Sequence, residues 1–346
     1  MSCDNLIRKA VDVIGEALNI EPDDFADDET WAFLGAKGLL AAAIAADLRA
    51  ELRIDVAADD FVKHPTVGKF KIFLHDRDQK TTASSSDAWG GIPKPKVPLS
   101  IILQNHPSTC KTTLFLFPDG SGSGASYASL PPVSKDVCLV GLNSPFLRQA
   151  REFTCSVERM ARLWFDEVCR LQPAGRPFIL GGWSAGEYYA YEMARLLIAA
   201  GKQVERLILI DSPCRLQFEA LPAQVVEKLT KKGLMGASGE KKAPEWLVQH
   251  FTSTVVAVDR YMPTPMAAKD APSFINFAWV RKGLVKSVPE SGLEVDMNVK
   301  VTKFLLEPRG DLQTEGWEIL LPGAKYSFDY MSGNHFQITQ PPHVSR

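Results

Sequence analysis

Phe178-Ile179-Leu180-Gly181-Gly182-Trp183-Ser184-Ala185-Gly186 carries an apolar run straight into a helical pattern in which Tyr189, Met193, Leu196 and Leu197 recur. The apolar residues predict a strand over 178–182 and the later periodicity predicts a helix over 185–200. Between them Gly182-Trp183-Ser184-Ala185-Gly186 has the form G-x-S-x-G. A serine on so sharp a strand-to-helix turn is held in strained backbone geometry, and small neighbours avoid collisions. The turn exposes the hydroxyl, and the helix N-terminus favours negative charge developing beside it. This context favours Ser184 as a nucleophile over a tight structural turn.

Outward from this turn, short apolar strands alternate with helices. Strands are expected at 100–104, 113–117, 137–142, 178–182, 206–210, 275–280, 302–306 and 326–330, with an amphipathic helix at 157–171. Alternation over some 240 residues predicts an α/β domain whose mostly parallel sheet is covered on both faces. Residues 215–265 interrupt it with helical, aromatic-containing sequence. An inserted cap over a site and ordinary connecting helices both fit this stretch.

A serine hydroxyl needs a base, and histidine is the usual one near neutral pH. The six histidines are His64, His75, His106, His250, His335 and His343. Where a serine sits on such an elbow, the order along the chain is serine, acid, then histidine after the final strand. His335, in Ser332-Gly333-Asn334-His335-Phe336 directly after the alternating Tyr326, Phe328 and Tyr330, fits best, whereas His343 lies in a proline-flanked tail. For the acid, Asp211 closes Leu207-Ile208-Leu209-Ile210 at the carboxyl edge of the sheet, where it can orient an imidazole and stabilise its cation. Asp311, in Pro308-Arg309-Gly310-Asp311, is the runner-up. Phe277-Ala278-Trp279-Val280 runs into Arg281-Lys282-Gly283 and supplies no acid.

After Leu114-Phe115-Leu116-Phe117 comes Pro118-Asp119-Gly120-Ser121-Gly122-Ser123-Gly124. A phosphate cradle of the G-x-G-x-x-G kind would need glycine where Tyr127 stands, and no Gly-Lys-Ser/Thr follows. The Gly120–Ser121 region instead suits one backbone donor of an oxyanion hole, with Ala185 supplying the other.

Residues 5–75 read as a small helical bundle. Ile7, Ala10, Val11, Ile14 and Leu18 mark a first helix; Leu40, Ile44, Leu48 and Leu52 mark a second over 38–53; a last short helix follows His64-Pro65-Thr66. Residues 76–98 carry charges, then Thr81-Thr82-Ala83-Ser84-Ser85-Ser86, then Pro93, Pro95 and Pro98, a composition that reads as a flexible linker. The net charge of -2 hides a polarity, since residues 1–75 hold 14 acidic against 8 basic residues and the remainder is mildly basic. That is not a nucleic-acid footprint. The six cysteines lie outside any C-x-x-C pair or histidine cluster, so reduced thiols are expected and a metal site has no support. No apolar run of membrane-spanning length and no leader-like N-terminus occurs, so a cytoplasmic protein is expected.

Residues 99–340 resemble the thioesterase, or thioesterase/Claisen-cyclase, domain that ends fungal non-reducing polyketide synthases. FLFPDGSGSGASY, GGWSAGEYYAYEMARLL, ERLILIDSP, PEWLVQHF and GNHF carry the likeness. It implies an α/β-hydrolase fold with a helical lid and a triad at the matching positions Ser184, Asp211 and His335. Residues 5–75 resemble the acyl carrier domain that precedes such thioesterases, including Phe61–Val67. Carriers of this kind bear phosphopantetheine on the serine of an Asp-Ser-Leu triplet, whereas Lys37-Gly38-Leu39 stands here. Gly38 has no hydroxyl, so the phosphodiester cannot form. The resemblance implies three parts: a pseudo acyl carrier domain (1–75), a linker (76–98) and a thioesterase domain (99–346).

The expectation is a freestanding pseudo-carrier–thioesterase that needs no cofactor. It acts in trans on an acyl-loaded carrier domain of a partner non-reducing polyketide synthase. Trp183, Trp246, Phe251 and Tyr261 suit an aromatic acyl pocket and core packing equally. Cleavage or formation of free aromatic esters such as depsides, Claisen-type cyclisation, and a non-catalytic docking role are the other readings.

Overall fold

The computed structural model describes residues 3–52, 56–82, 88–235 and 244–344. Met1–Gly90 and Gly91–Arg346 are separate compact units. In the first, α1 (Cys3–Leu18) and α2 (Leu39–Leu52) bury Ala10, Ile14, Ile44 and Leu48 against one another, as their spacing requires. Two further helices follow, α3 (Ala58–Lys63) and α4 (Val67–Thr82). Short α3 was not anticipated; Asp60 accepts the Ala57 N–H at 2.9 Å and closes its first turn. Trp31 meets Phe61 and Phe70 edge-on, each at 5.4 Å, so aromatic packing adds to the aliphatic core.

Helix α4 is four turns long rather than short, and it covers the expected start of the linker at residue 76. Asp76-Arg77-Asp78-Gln79-Lys80 holds neither proline nor glycine, and Arg, Gln and Lys are good helix formers. Residues 83–86 of the serine-rich run lie outside the described residues, as do 236–243 of the expected cap.

The second unit is built on a seven-stranded sheet. Its strands are β1 (Ser100–Gln104), β2 (Thr112–Phe117), β3 (Val137–Leu142), β4 (Phe178–Trp183), β5 (Val204–Ile210), β6 (Phe274–Lys282) and β7 (Lys325–Asn334). Their order is β1-β3-β2-β4-β5-β6-β7, with β1 antiparallel to β3 and the other pairs parallel. Helices α5 (Val157–Leu171) and α6 (Ala185–Ala199) fall where the periodicity placed them. Trp164 of α5 lies edge-on to Phe117 and Tyr189, at 5.4 and 5.2 Å.

Two insertions leave the sheet. Between β5 and β6 come α7 (Ala223–Lys231) and α8 (Glu245–Asp259). Between β6 and β7 come α9 (Val288–Ser291), α10 (Lys300–Leu306) and α11 (Trp317–Leu320). The expected strand at 302–306 is therefore a helix. Thr302, Phe304, Leu305 and Leu306 are all buried and Lys303 is exposed, and so short a run has too few positions for its period to tell strand from buried helix. Among the described residues no helix is long and apolar enough to cross a membrane.

Candidate active site

Ser184 stands between β4 and α6 with φ 57° and ψ -127°, a conformation that is costly for a residue with a side chain. Its N–H is held by the Ile210 carbonyl at 3.1 Å. A Cβ on Gly182 would come within 2.1 Å of the Gly186 backbone, and one on Gly186 within 2.4 Å of the Phe117 carbonyl. Only glycine at both positions lets β4, the elbow and β2 approach this closely.

Asp211 follows β5, fully buried and also at positive φ, 58°. Its Oδ2 lies 2.8 Å from His335 Nδ1 and 3.1 Å from an Arg309 nitrogen, while its Oδ1 accepts the Val280 N–H at 3.1 Å. Burial alone would raise this carboxyl, but the Arg309 charge and the His335 contact outweigh it and hold the group below its ordinary value. With Nδ1–H turned to Asp211, His335 Nε2 is left as the basic lone pair. His335 directly follows β7 and is wedged against Trp183 and Phe336, at ring distances of 5.5 and 5.1 Å.

Ser184, Asp211 and His335 all line one cavity, together with Gly120 and Ala185. Its remaining wall is largely apolar. Phe251, Val255 and Val258 come from α8, and Val301, Phe304 and Leu305 from α10. So α8 covers the site as a lid, and the insertion that the strand expectation misread forms much of the wall.

The other candidates divide. Ser121 turns to Asp119, its hydroxyl 2.6 Å from the carboxylate, leaving Gly120 and Ala185 as the expected oxyanion residues on the cavity wall. Asp311 pairs with Arg281 at 2.6 Å in a solvent-exposed ion pair. Within the same tetrapeptide it is Arg309 that reaches the buried acid. His343 bonds Ser332 at 3.0 Å and His64 stacks on Phe73, while the His75 side chain is outside the described ones. Of the four aromatics expected as pocket or core, Phe251 lines the cavity. Tyr261 is buried with its hydroxyl donating to Glu192 at 2.8 Å, Trp183 packs behind His335, and Trp246 stacks with the Arg148 guanidinium.

Three buried polar groups have no role in the sequence reading. Asp119 accepts from Ser121 and Ser126, and burial, only partly offset by those hydroxyls, raises its carboxyl. Glu187 accepts the Ser212 N–H at 3.1 Å; burial, then the neighbouring Asp211 charge, pushes it well above the usual carboxylate range. Glu187 stands one helical position past the G-x-S-x-G motif, where polarity on a buried face was a readable signal.

The third group is His250 on α8. Its Nδ1–H donates to the Gly120 carbonyl at 2.9 Å and its Nε2 accepts from Ser144 at 2.8 Å, tying α8 to the loops after β2 and β3. Gly122, at φ 74°, leaves the room for this ring; a Cβ there would lie 2.3 Å from it. Burial, partly offset by the bond to Gly120, pushes the imidazole down from 6.5 to about 4. Between those values the unfolded chain takes up a proton that the folded protein refuses. Stability is therefore undiminished above pH 6.5 and falls toward pH 4, by up to about 3 kcal/mol from this residue. His250→Gln is expected to flatten the fall of the melting midpoint across that window. A slope equal to that of the parent protein would show that His250 is not its source.

Residues 112–346 match the family model described as "Thioesterase domain", and residues 8–74 match "Phosphopantetheine attachment site". The non-reducing polyketide synthase terA of Aspergillus terreus is 34% identical over 365 residues, covering 96% of this chain and 17% of that protein. The bikaverin polyketide synthase bik1 of Gibberella fujikuroi is 34% identical over 373 residues, 99% of this chain and 18% of that protein. The chain thus spans less than a fifth of the length of either of these relatives. Among solved structures, the NocB thioesterase domain from the nocardicin cluster aligns at TM-score 0.52 and 22% identity, over 71% of this chain and 94% of that one, which supports the fold. The elbow, the lidded sheet and the family match agree: this chain belongs to the thioesterase-domain family, an α/β-hydrolase-type thioesterase domain preceded by a carrier-like helical domain.

Proposed function

We propose that this protein releases a polyketide acyl chain from the carrier domain of a partner non-reducing polyketide synthase, acting in trans through an acyl-Ser184 intermediate. The observation that carries the reading is the 2.8 Å contact between His335 Nδ1 and Asp211 Oδ2 on the wall of the cavity that Ser184 also lines. His335 Nε2 removes the Ser184 proton as Oγ attacks the thioester carbonyl, and the N–H groups of Gly120 and Ala185 face the oxyanion. The carbon–sulfur bond then breaks and the thiol leaves with the proton held by His335. Water, or a nucleophile of the acyl chain itself, attacks the acyl-enzyme by the reverse proton path and frees the product.

The trans assignment rests on Gly38. It precedes α2, where the attachment serine of a carrier stands, and it has φ 57° and no hydroxyl. The acyl group must therefore arrive on a different carrier. Incubation with coenzyme A and a phosphopantetheinyl transferase is expected to add no mass to this protein. A stoichiometric adduct within residues 5–75 would contradict the pseudo-carrier reading.

Release is tested with a carrier domain of a non-reducing polyketide synthase bearing an aromatic acyl-phosphopantetheine. The free acid or cyclised product should appear with the parent protein and not with Ser184→Ala. Release no faster than in buffer, alongside rapid turnover of small aryl esters, would move the substrate to free esters.

A further inference from the structure

Three buried carboxyl groups lie about the Asp211–His335 pair, Asp119 near His335 and Glu187 near Asp211, each from a different element. Asp119 comes from the loop after β2, Glu187 from α6 and Asp211 from the end of β5. An imidazole that must cycle between neutral and charged forms needs one of them ionised, at a fixed distance. Burial works against ionisation of all three, so what selects one is a matter of partners. Asp119 has hydroxyl donors, Ser121 and Ser126. Glu187 has one backbone donor on Oε1, and its Oε2 has no hydrogen-bond partner among the described residues. Asp211 has a guanidinium.

That guanidinium is unusually committed. Arg309 is 6% exposed in its side chain, so its charge cannot be left to water. Its Nη2 donates to Asp211 Oδ2, while Nε and Nη1 have no acceptor among the described residues. The flat face of the group lies 4.0 Å from the ring of Phe304, a residue of the cavity wall. Its backbone is anchored too: the Arg309 N–H donates to the Arg281 carbonyl at 2.7 Å, and the Arg281 side chain holds Asp311 on the outer side of the same turn. The segment is thus stapled with Arg309 inward and Asp311 outward.

We infer that Arg309 is a positioning residue of the active site, which holds Asp211 as the ionised carboxylate of the three and fixes its orientation toward His335. This rests on Ser184, Asp211 and His335 acting as the triad. Its consequence is a pH effect with a definite sign. A fixed positive charge beside the Asp211–His335 pair makes the pair give up its last proton more readily, so the reactive form persists to lower pH. Asp119 and Glu187 lack such a charge and bear on the pair only through their own ionisation. The sign is the same whichever member of the pair carries that proton.

The test follows the rate at which an alkyl fluorophosphonate labels Ser184, by intact mass between pH 5 and 9. In labelling, Oγ forms a bond to phosphorus, fluoride departs, and the serine proton passes through His335 to solvent. Arg309→Met and Arg309→Gln are expected to move the acid limb of this profile up by about one pH unit and to slow labelling at pH 7 by about 10- to 100-fold. Arg309→Lys, which keeps the charge, should leave the limb within about 0.3 unit of the parent. An unmoved limb in the neutral variants, or a lysine variant behaving like methionine, would overturn the inference. Should the neutral variants not fold, Arg309→Met with Asp211→Asn removes both charges. It should label as fast as Asp211→Asn alone, and a further tenfold loss would contradict action through Asp211. Labelling that does not require Ser184 would instead dismiss the triad itself.

Discussion

Ser184→Ala is expected to eliminate the acyl-enzyme and to lower turnover by about 10⁴–10⁶-fold on any acyl thioester or ester the protein accepts. The size follows from the elbow. The φ of 57° at Ser184, the glycines packed against Phe117 and across the turn, and the helix N-terminus all serve to present one oxygen to the cavity. A methyl group in its place leaves Gly120, Ala185 and the apolar wall of the cavity intact, so substrate binding and folding should change little while chemistry stops. Steady-state rates with the melting midpoint measured alongside check both halves. Turnover within about tenfold of the parent protein would remove Ser184 from the mechanism.

The second large effect separates two aspartates that the sequence ranked but did not decide. Asp211→Asn keeps the shape of the site yet exchanges an acceptor for an amide, so the imidazole loses the partner that holds Nδ1 protonated and Nε2 free. It also leaves Arg309 buried without its counter-charge. Turnover is expected to fall by about 10²–10⁴-fold, with some loss of stability. Asp311→Asn breaks only the exposed pair with Arg281 and should cost less than about threefold. Paired kcat measurements on the two variants decide the matter; the reverse ranking would assign the acid to Asp311.

Much of this site was legible because its signals are local or ordered along the chain. Ser184 announces itself through flanking glycines, a strand before and a helix after. His335 follows from its place after the last strand, and Asp211 from ending a strand at the carboxyl edge of the sheet. The fold class and nearly every strand came from periodicity in the same way. What escaped notice depends on contacts distant in sequence. The run 302–306 is short, with exposed Lys303 among buried neighbours, and so few residues do not separate a strand period from a helical one. His250 falls outside the serine–acid–histidine order and so looked idle, although it joins two segments 130 residues apart. Arg309 sits two residues from the aspartate that drew attention, and only the tertiary turn at Pro308–Asp311 decides which side chain faces inward.

The central claim, that one cavity holds a serine nucleophile served by Asp211 and His335, is tested most directly by trapping the intermediate. The parent protein is mixed with an aromatic acyl thioester and quenched in acid within the first turnovers. Intact mass and peptide mapping then locate any adduct. The account predicts one acyl group per chain, on the peptide containing Ser184, absent from Ser184→Ala and slow to form in His335→Ala. Turnover without any adduct that survives in Ser184→Ala, or an acyl group mapped to another residue, would contradict it.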